Sequence, residues 1–73
     1  MDVKLSIAIQ SYLSDAQIEM SFVPVRANNR INFVKWLLNR YKNLNQYIEE
    51  DILNEEYRAY LAHYGIESFD QKH

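Results

Sequence analysis

The clearest pattern of hydrophobic and polar positions lies in the middle of the chain, between Arg30 and Lys42. Apolar side chains recur there every three or four residues, a spacing that places them on one face of an α-helix. They are Phe33, Val34, Leu37, Leu38 and Tyr41. Asn28 or Asn29 can cap the first turn through its side-chain oxygen. The pattern predicts a helix over residues 30–42.

Two further apolar sets follow in the C-terminal half. The first is Tyr47, Ile48 and Ile52, and the second is Leu53, Tyr57, Tyr60, Leu61 and Tyr64. On one continuous helix the sets would point roughly 100 to 180° apart. The pattern therefore predicts two helices with a break at Asn54, a good N-cap. Gly65 can supply the left-handed residue that ends the last helix, with Ile66 packing back on Leu61.

The first twenty residues fit two patterns. The strand-like set is Val3, Leu5, Ile7 and Ile9; the helical set is Leu5, Ile9, Tyr12, Leu13, Ala16 and Met20. A strand needs a partner, and only residues 20–25 have comparable β character, so the longer helical set is favoured. Ser14 and Gln17 form a potential capping box that would divide this region into two short helices. Residues 22–25 then form an extended connector, because the residue before Pro24 avoids helical geometry.

These elements predict an all-α fold, a small bundle of four or five short helices around one core. The alternative is an α+β fold with an N-terminal strand at residues 3–9. A length of 73 residues allows one domain. We place it at residues 1–67, followed by a flexible tail at residues 68–73.

Composition narrows the setting of the protein. There is no cysteine, which removes disulfides, thiolate zinc sites and cysteine nucleophiles, so a cytoplasmic protein fits best. The longest uncharged stretch, residues 5–14, is about half of what a membrane-spanning helix needs. No signal peptide or anchor is visible, and no membrane partner is expected. Seven Ile, seven Asn and six Tyr match A/T-rich codons, which indicates a low-GC bacterium or its mobile elements as the source.

The net charge is only −2, but the charges are sorted by sign along the chain. Residues 20–48 contain five bases and no acid: Arg26, Arg30, Lys35, Arg40 and Lys42. Residues 49–56 contain five acids and no base: Glu49, Glu50, Asp51, Glu55 and Glu56. The simple interpretation is that the first three acids face outward on a short helix and the last two lie in a first turn. The alternative is an acidic patch that docks on a basic partner.

The outer side of the predicted helix over residues 30–42 is the candidate binding site. Opposite the apolar stripe it carries an indole among amide and basic groups, the composition of an interface hot spot. The predicted partner-binding residues are Arg30, Lys35, Trp36, Asn39 and Arg40, and the five acids form a secondary patch. In the alternative interpretation, Trp36 is covered by the N-terminal helix or the Phe22 connector, with Arg40 stacked on its edge.

The chain offers few groups for catalysis. His63 and His73 are the only histidines, and no Ser-His-acid pairing, Gly-rich phosphate loop or HxxxH spacing is present. We therefore predict no enzyme activity, no cofactor and no metal. The expected function is protein binding, as an accessory regulator or inhibitor that occludes a surface on another macromolecule.

Two alternatives use the same surfaces. A nucleic-acid-binding protein would apply the basic helix to phosphates, with Trp36 stacking on an unpaired base. A helix-turn-helix is disfavoured because its second helix would bring acids towards DNA. The other alternative is a structural protein that forms a homodimer.

Overall fold

The computed structural model describes residues 1–65 and contains three helices and two short strands. In chain order these are β1 (Asp2–Lys4), α1 (Leu5–Glu19), α2 (Pro24–Arg40), β2 (Tyr47–Glu49) and α3 (Glu50–Tyr64). The chain is mostly helical, but the predicted bundle of four or five helices is not confirmed. The alternative with an N-terminal strand fits. The predicted tail and the contact of Ile66 lie outside the described residues.

The strands β1 and β2 form a two-stranded antiparallel sheet in which Val3 faces Ile48. The N-terminal strand thus finds its partner just before α3 and not in residues 20–25. The strand ends at Lys4, earlier than the predicted range 3–9, and helix α1 takes over at Leu5. Helix α1 then runs without a break, so the division into two short helices is wrong.

Helix α2 begins at Pro24, well before the predicted start. A proline in the first turn lacks only an N–H that would be unpaired anyway, and its fixed φ suits a helix. Val23, the residue before the helix, is not helical, with φ −136° and ψ 74°. The extended connector predicted over residues 22–25 is wrong, because Pro24 and Val25 belong to α2. The predicted caps at Asn28 and Asn29 are therefore wrong. Asn29 is buried inside α2 and accepts a hydrogen bond of 3.4 Å from the Tyr60 hydroxyl.

The C-terminal half contains one helix and not two, so the predicted break at Asn54 is wrong. The angular offset between the two apolar sets arises because Ile48 lies in a strand, where it is buried between two exposed neighbours. Glu49 is extended, and α3 starts directly after it with two acids in its first turn, where they suit the helix dipole. The predicted end is confirmed: Gly65 has φ 66°, in the left-handed region.

The core is centred on Phe33. Its ring centroid lies 5.5 Å from that of Tyr12, 5.0 Å from Tyr57 and 5.7 Å from Tyr60. The buried cluster around it draws on all three helices and β2: Leu5, Ala8, Ile9, Phe33, Val34, Leu37, Ile48, Leu53, Tyr60 and Leu61. The predicted inward stripe of α2 is confirmed except at its edge, where Leu38 is 44% exposed.

Candidate functional site: a groove between α2 and α3

Helices α2 and α3 enclose a groove of about 500 Å³, which we call the α2–α3 groove. Its lining is Asn32, Lys35, Trp36, Asn39, Arg40, Tyr60 and Tyr64. Helix α2 contributes five of these residues from its polar side, and α3 contributes two tyrosines. Four of the five predicted partner-binding residues therefore lie together in one concave surface.

The polar wall of this groove follows from the periodicity of α2. Asn32, Lys35 and Asn39 are spaced by three and four residues, which places their side chains one above the other on the helix surface. All three are exposed, whereas Phe33 and Leu37 are buried in the core. Because the other side of the helix is buried, these amide and ammonium groups lie together on the exposed side.

Trp36 is half-buried at the floor of the groove, and its aromatic neighbours lie on α3. Its ring centroid is 5.9 Å from that of Tyr60 and 5.4 Å from that of His63. Phe22, which had been a candidate to cover the indole, is itself 79% exposed. The indole therefore packs against rings of α3 and also lines the groove.

The carboxylate of Glu56 fixes the position of Trp36 and of two neighbouring side chains by accepting hydrogen bonds from them. The indole Nε1–H of Trp36 donates to Oε1 at 3.1 Å, and the hydroxyl of Tyr41 donates to Oε2 at 2.6 Å. Arg40 Nε lies 2.8 Å from Oε1. Burial opposes ionisation of Glu56, but the hydrogen bonds from these three donors outweigh it and lower its pKa. Glu56 is thus an ionised structural anchor.

The two cations of the groove differ in how much of their charge is available. Arg40 pairs with Glu56, and its guanidinium carbon lies 5.6 Å from the Trp36 ring centroid, within cation–π range. Lys35 is exposed and has no ion pair among residues 1–65. Within residues 1–65, Lys35 is therefore the groove cation that no carboxylate compensates.

Arg30 is the predicted site residue that the structure does not bring into the groove. Its Nε lies 2.6 Å from Glu19 Oε1, and its Nη1 lies 3.8 Å from Asp15 Oδ2. The hydrogen bond from Arg30 lowers the pKa of Glu19. Both carboxylates are on α1, so this arginine ties α1 to α2.

The predicted acidic patch is divided by the fold. Glu49 lies in β2, Glu50 and Asp51 lie in the first turn of α3, and Glu55 follows one turn later. These four are exposed. Glu56 points inward, so it does not belong to an outward patch, and its placement in a first turn with Glu55 is wrong.

Three groove residues were not among the predicted partner-binding set: Asn32, Tyr60 and Tyr64. Asn32 had a signal, because it shares the outer side of α2 with Lys35 and Asn39. For the tyrosines the spacing favours a core position over a binding site, because a stripe at helical spacing is more often core. Tyr60 is buried, but Tyr64, one turn later, is 60% exposed.

Neither a metal site nor a membrane span is found in the part of the chain that the structure describes. No three histidine or carboxylate side chains there converge to hold a metal ion. None of the described helices combines the length and apolar content needed to cross a bilayer. Comparison with known protein families, curated proteins and solved structures gives no match to the chain. Function must therefore be inferred from the chain's own residues.

Proposed function

We propose that the chain is a small, non-enzymatic protein-binding module, an accessory regulator or inhibitor that covers a surface on another macromolecule. The observation that carries this proposal is the α2–α3 groove, where a half-buried indole, two amides and an exposed ammonium line one concavity. Specific contacts between proteins favour such a combination of aromatic area with a few hydrogen-bonding groups.

The groove chemistry suits a peptide segment of a partner protein. The ring of Trp36 and the exposed Tyr64 offer apolar area to an inserted side chain. Asn32 and Asn39 can each donate to and accept from a peptide backbone. Lys35 can meet a carboxylate. A volume of about 500 Å³ lies in the range of ordinary ligand sites.

The groove is organised before any partner arrives. Trp36 is held by its hydrogen bond to Glu56 and by rings on α3, so binding would order few new torsions at this position. An aromatic anchor whose conformation is already set loses less entropy on association. This preorganisation favours recognition of a defined surface over nonspecific adhesion.

Nucleic acid is the second candidate ligand of the same face, because Lys35 and an accessible part of Trp36 lie together. The charge balance supports it less. Arg30 and Arg40 both pair with carboxylates of the chain, so fewer cations are free to displace counterions from a phosphate backbone. We therefore favour a protein partner, with a homodimer as the third candidate.

The test is site-specific photo-crosslinking in the native host. A photoreactive residue at Asn39, in the groove, is compared with one at Asn28, which is exposed on α2 outside the groove lining. We expect a protein adduct that survives nuclease treatment from position 39 and none from position 28. A nuclease-sensitive adduct would support nucleic acid, and a dimer of the chain itself would support self-association. Absence of any adduct would contradict the proposal.

Charge reversal then tests the chemistry of the adduct. Lys35→Glu should sharply reduce the adduct from position 39. Lys42→Glu is the matched control, because Lys42 is also exposed and is not part of the groove lining. Equal losses in both variants would show a nonspecific charge effect. Trp36 and Arg40 are less suitable targets, because their substitution also removes donors from Glu56.

A further inference from the structure

A second groove, of about 520 Å³, lies between α1 and α3, and we call it the α1–α3 groove. It shares no lining residue with the α2–α3 groove. Its apolar side includes Val3, Ile7 and Leu53, and its acidic side is formed by Glu50 and Asp51 at the start of α3. The two grooves therefore differ in chemical character.

The apolar side of this groove is incompletely covered. Leu53 belongs to the core and is 5% exposed, but Ile7 on the neighbouring helix is 56% exposed. An exposed apolar side chain is ordinary by itself. Here Ile7 lies beside further apolar side chains in a concavity, an arrangement that favours contact with another apolar surface.

The negative charge around the groove is not neutralised within the described residues. Glu50 and Asp51 have no ion pair among residues 1–65. Asp2 and Glu49, which are directly opposite in the β1–β2 pairing, lie outside the groove lining and add only to the surrounding negative field. The helix dipole accounts for acids in the first turn of α3. It does not neutralise them, so the groove lining keeps two carboxylates without a cationic partner among residues 1–65.

We propose that the α1–α3 groove binds a cationic amphipathic helix of a partner protein. The apolar stripe of that helix would pack on Ile7 and Leu53, and its lysines or arginines would lie against Glu50 and Asp51. This is the helix-in-groove mode of recognition, in which apolar anchors supply area and flanking charges set orientation. Nucleic acids and anionic membranes carry the wrong charge for this surface.

A second copy of the chain is a less suitable occupant. The outward cations of α2 are accompanied by amides such as Asn32 and Asn39, so that face lacks an apolar stripe of its own. Helix α3 contributes acids near its start. An external partner with both leucine-like anchors and cations matches the groove better on each count.

The test titrates the full chain with a synthetic Leu–Lys peptide of about 16 residues, long enough to form an amphipathic helix. Calorimetry measures the Kd, and circular dichroism measures the helicity that the peptide gains. A Leu–Glu peptide of the same pattern and a scrambled Leu–Lys peptide are the controls. We expect binding of the patterned Leu–Lys peptide only. No binding, or equal binding of the scrambled peptide, would overturn the proposal.

Matched variants locate the charges that bind the peptide. The double substitution Glu50→Gln with Asp51→Asn should raise the Kd roughly tenfold, since two ion pairs of modest strength are lost. The double substitution Glu49→Gln with Glu55→Gln removes the same charge outside the groove lining and should raise it about twofold at most. Equal effects would mean that only the overall field attracts the peptide, which would refute the groove as its site.

The apolar contact is tested in the same way. Ile7→Gln should raise the Kd roughly fivefold, because an exposed apolar anchor is lost. Ile18→Gln is the control on the same helix, since Ile18 is 64% exposed and does not line the groove. An unchanged Kd in the Ile7 variant would contradict the proposal. So would concentration-dependent dimerisation of the chain that the Ile7 variant abolishes, because a second copy would then be the occupant.

Discussion

Glu56→Gln is the substitution that tests the architecture of the α2–α3 groove most directly. The wild-type carboxylate accepts from three donors that reach it from α2 and the segment after it: Trp36, Arg40 and Tyr41. Glutamine has nearly the same shape, so the core is not opened. Its Oε1 can still accept from Trp36 and Arg40, but its Nε2 cannot accept from the hydroxyl of Tyr41 and can only donate to it, so every bond becomes one without a charged acceptor.

The magnitude follows from the loss of the negative charge. A hydrogen bond to a charged group contributes about 1.5–3 kcal/mol and a neutral one about 0.5–1.5 kcal/mol, so the bonds from Trp36 and Tyr41 should each weaken by about 1 kcal/mol. The ion pair with Arg40 adds little, because that guanidinium is half-exposed. We therefore expect the free energy of unfolding to fall by about 2 kcal/mol. For a domain of this size that corresponds to a fall in Tm of about 8–16 °C. Glu55→Gln, the exposed neighbour, should change stability by less than about 0.5 kcal/mol.

The pH dependence of unfolding tests whether the stabilisation comes from the negative charge of Glu56. The pKa of Glu56 is lower in the folded chain than its ordinary value of 4.5. Its ionised form therefore stabilises the fold above that ordinary value, and the contribution is lost as the pH falls through the lowered pKa. Below that point wild-type Glu56 is protonated in both states and resembles glutamine. The difference between wild type and Glu56→Gln should therefore be largest near pH 7 and shrink in acid.

The assay is urea unfolding at several pH values from 7 downward, followed by the fluorescence of Trp36 and by circular dichroism. Equal m-values among wild type and both variants would show that stability changed and not the extent of unfolding. If Glu56→Gln and Glu55→Gln unfold at the same urea concentration at pH 7, the carboxylate does not anchor the groove. A difference that persists unchanged in acid would also refute the role of its charge.

Three further predictions concern the core, the helix end and the other ion pair. Leu37→Ala should destabilise the fold by about 2–5 kcal/mol and Leu38→Ala by less than about 1 kcal/mol, because only Leu37 is fully buried; equal costs in urea unfolding would disprove the register of α2. Gly65→Ala should lower the free energy of unfolding by about 1 kcal/mol through its left-handed φ alone, since a Cβ there meets nothing within 4 Å. An unchanged Tm in thermal unfolding would contradict this prediction. Glu19→Gln should flatten the acid end of the stability profile, because hydrogen bonding from Arg30 lowers the pKa of Glu19 and its contribution is lost as the pH falls; an unaltered profile would argue against this pair.

Much of the candidate site could be predicted because it depends on one helix. Lys35, Trp36, Asn39 and Arg40 share the outer side of α2 for the same reason that Phe33 and Leu37 share the inner side, namely the period of the helix. Whether Trp36 was covered could not be predicted. The covering rings lie on α3, and no local spacing links position 36 to position 60.

The predicted grouping of side chains differs from the structure where a side chain pairs with a residue on a distant element. Arg30 has the same helical context as the other bases, yet it turns to Glu19 on α1. Glu56 follows Glu55 directly, yet one is buried beside Trp36 and the other is exposed. On a helix, adjacent residues point about 100° apart, so a single step along the chain separates core from solvent. Only the position of α2 decides which of the two is covered.

The sequence alone is enough for the buried stripe of α2 and for the stop at Gly65, because both depend on residues within one or two helical turns. For α1 the sequence left strand and helix both open, and Leu13 and Met20 of the favoured helical set are exposed. The tertiary structure decided the pairing of Val3 with Ile48, the merging of the last two predicted helices, the anchoring of Trp36 by Glu56 and both grooves. These features depend on contacts between elements far apart in the chain. Local periodicity determines which side chains share a face of a helix, whereas tertiary packing determines which other element that face contacts.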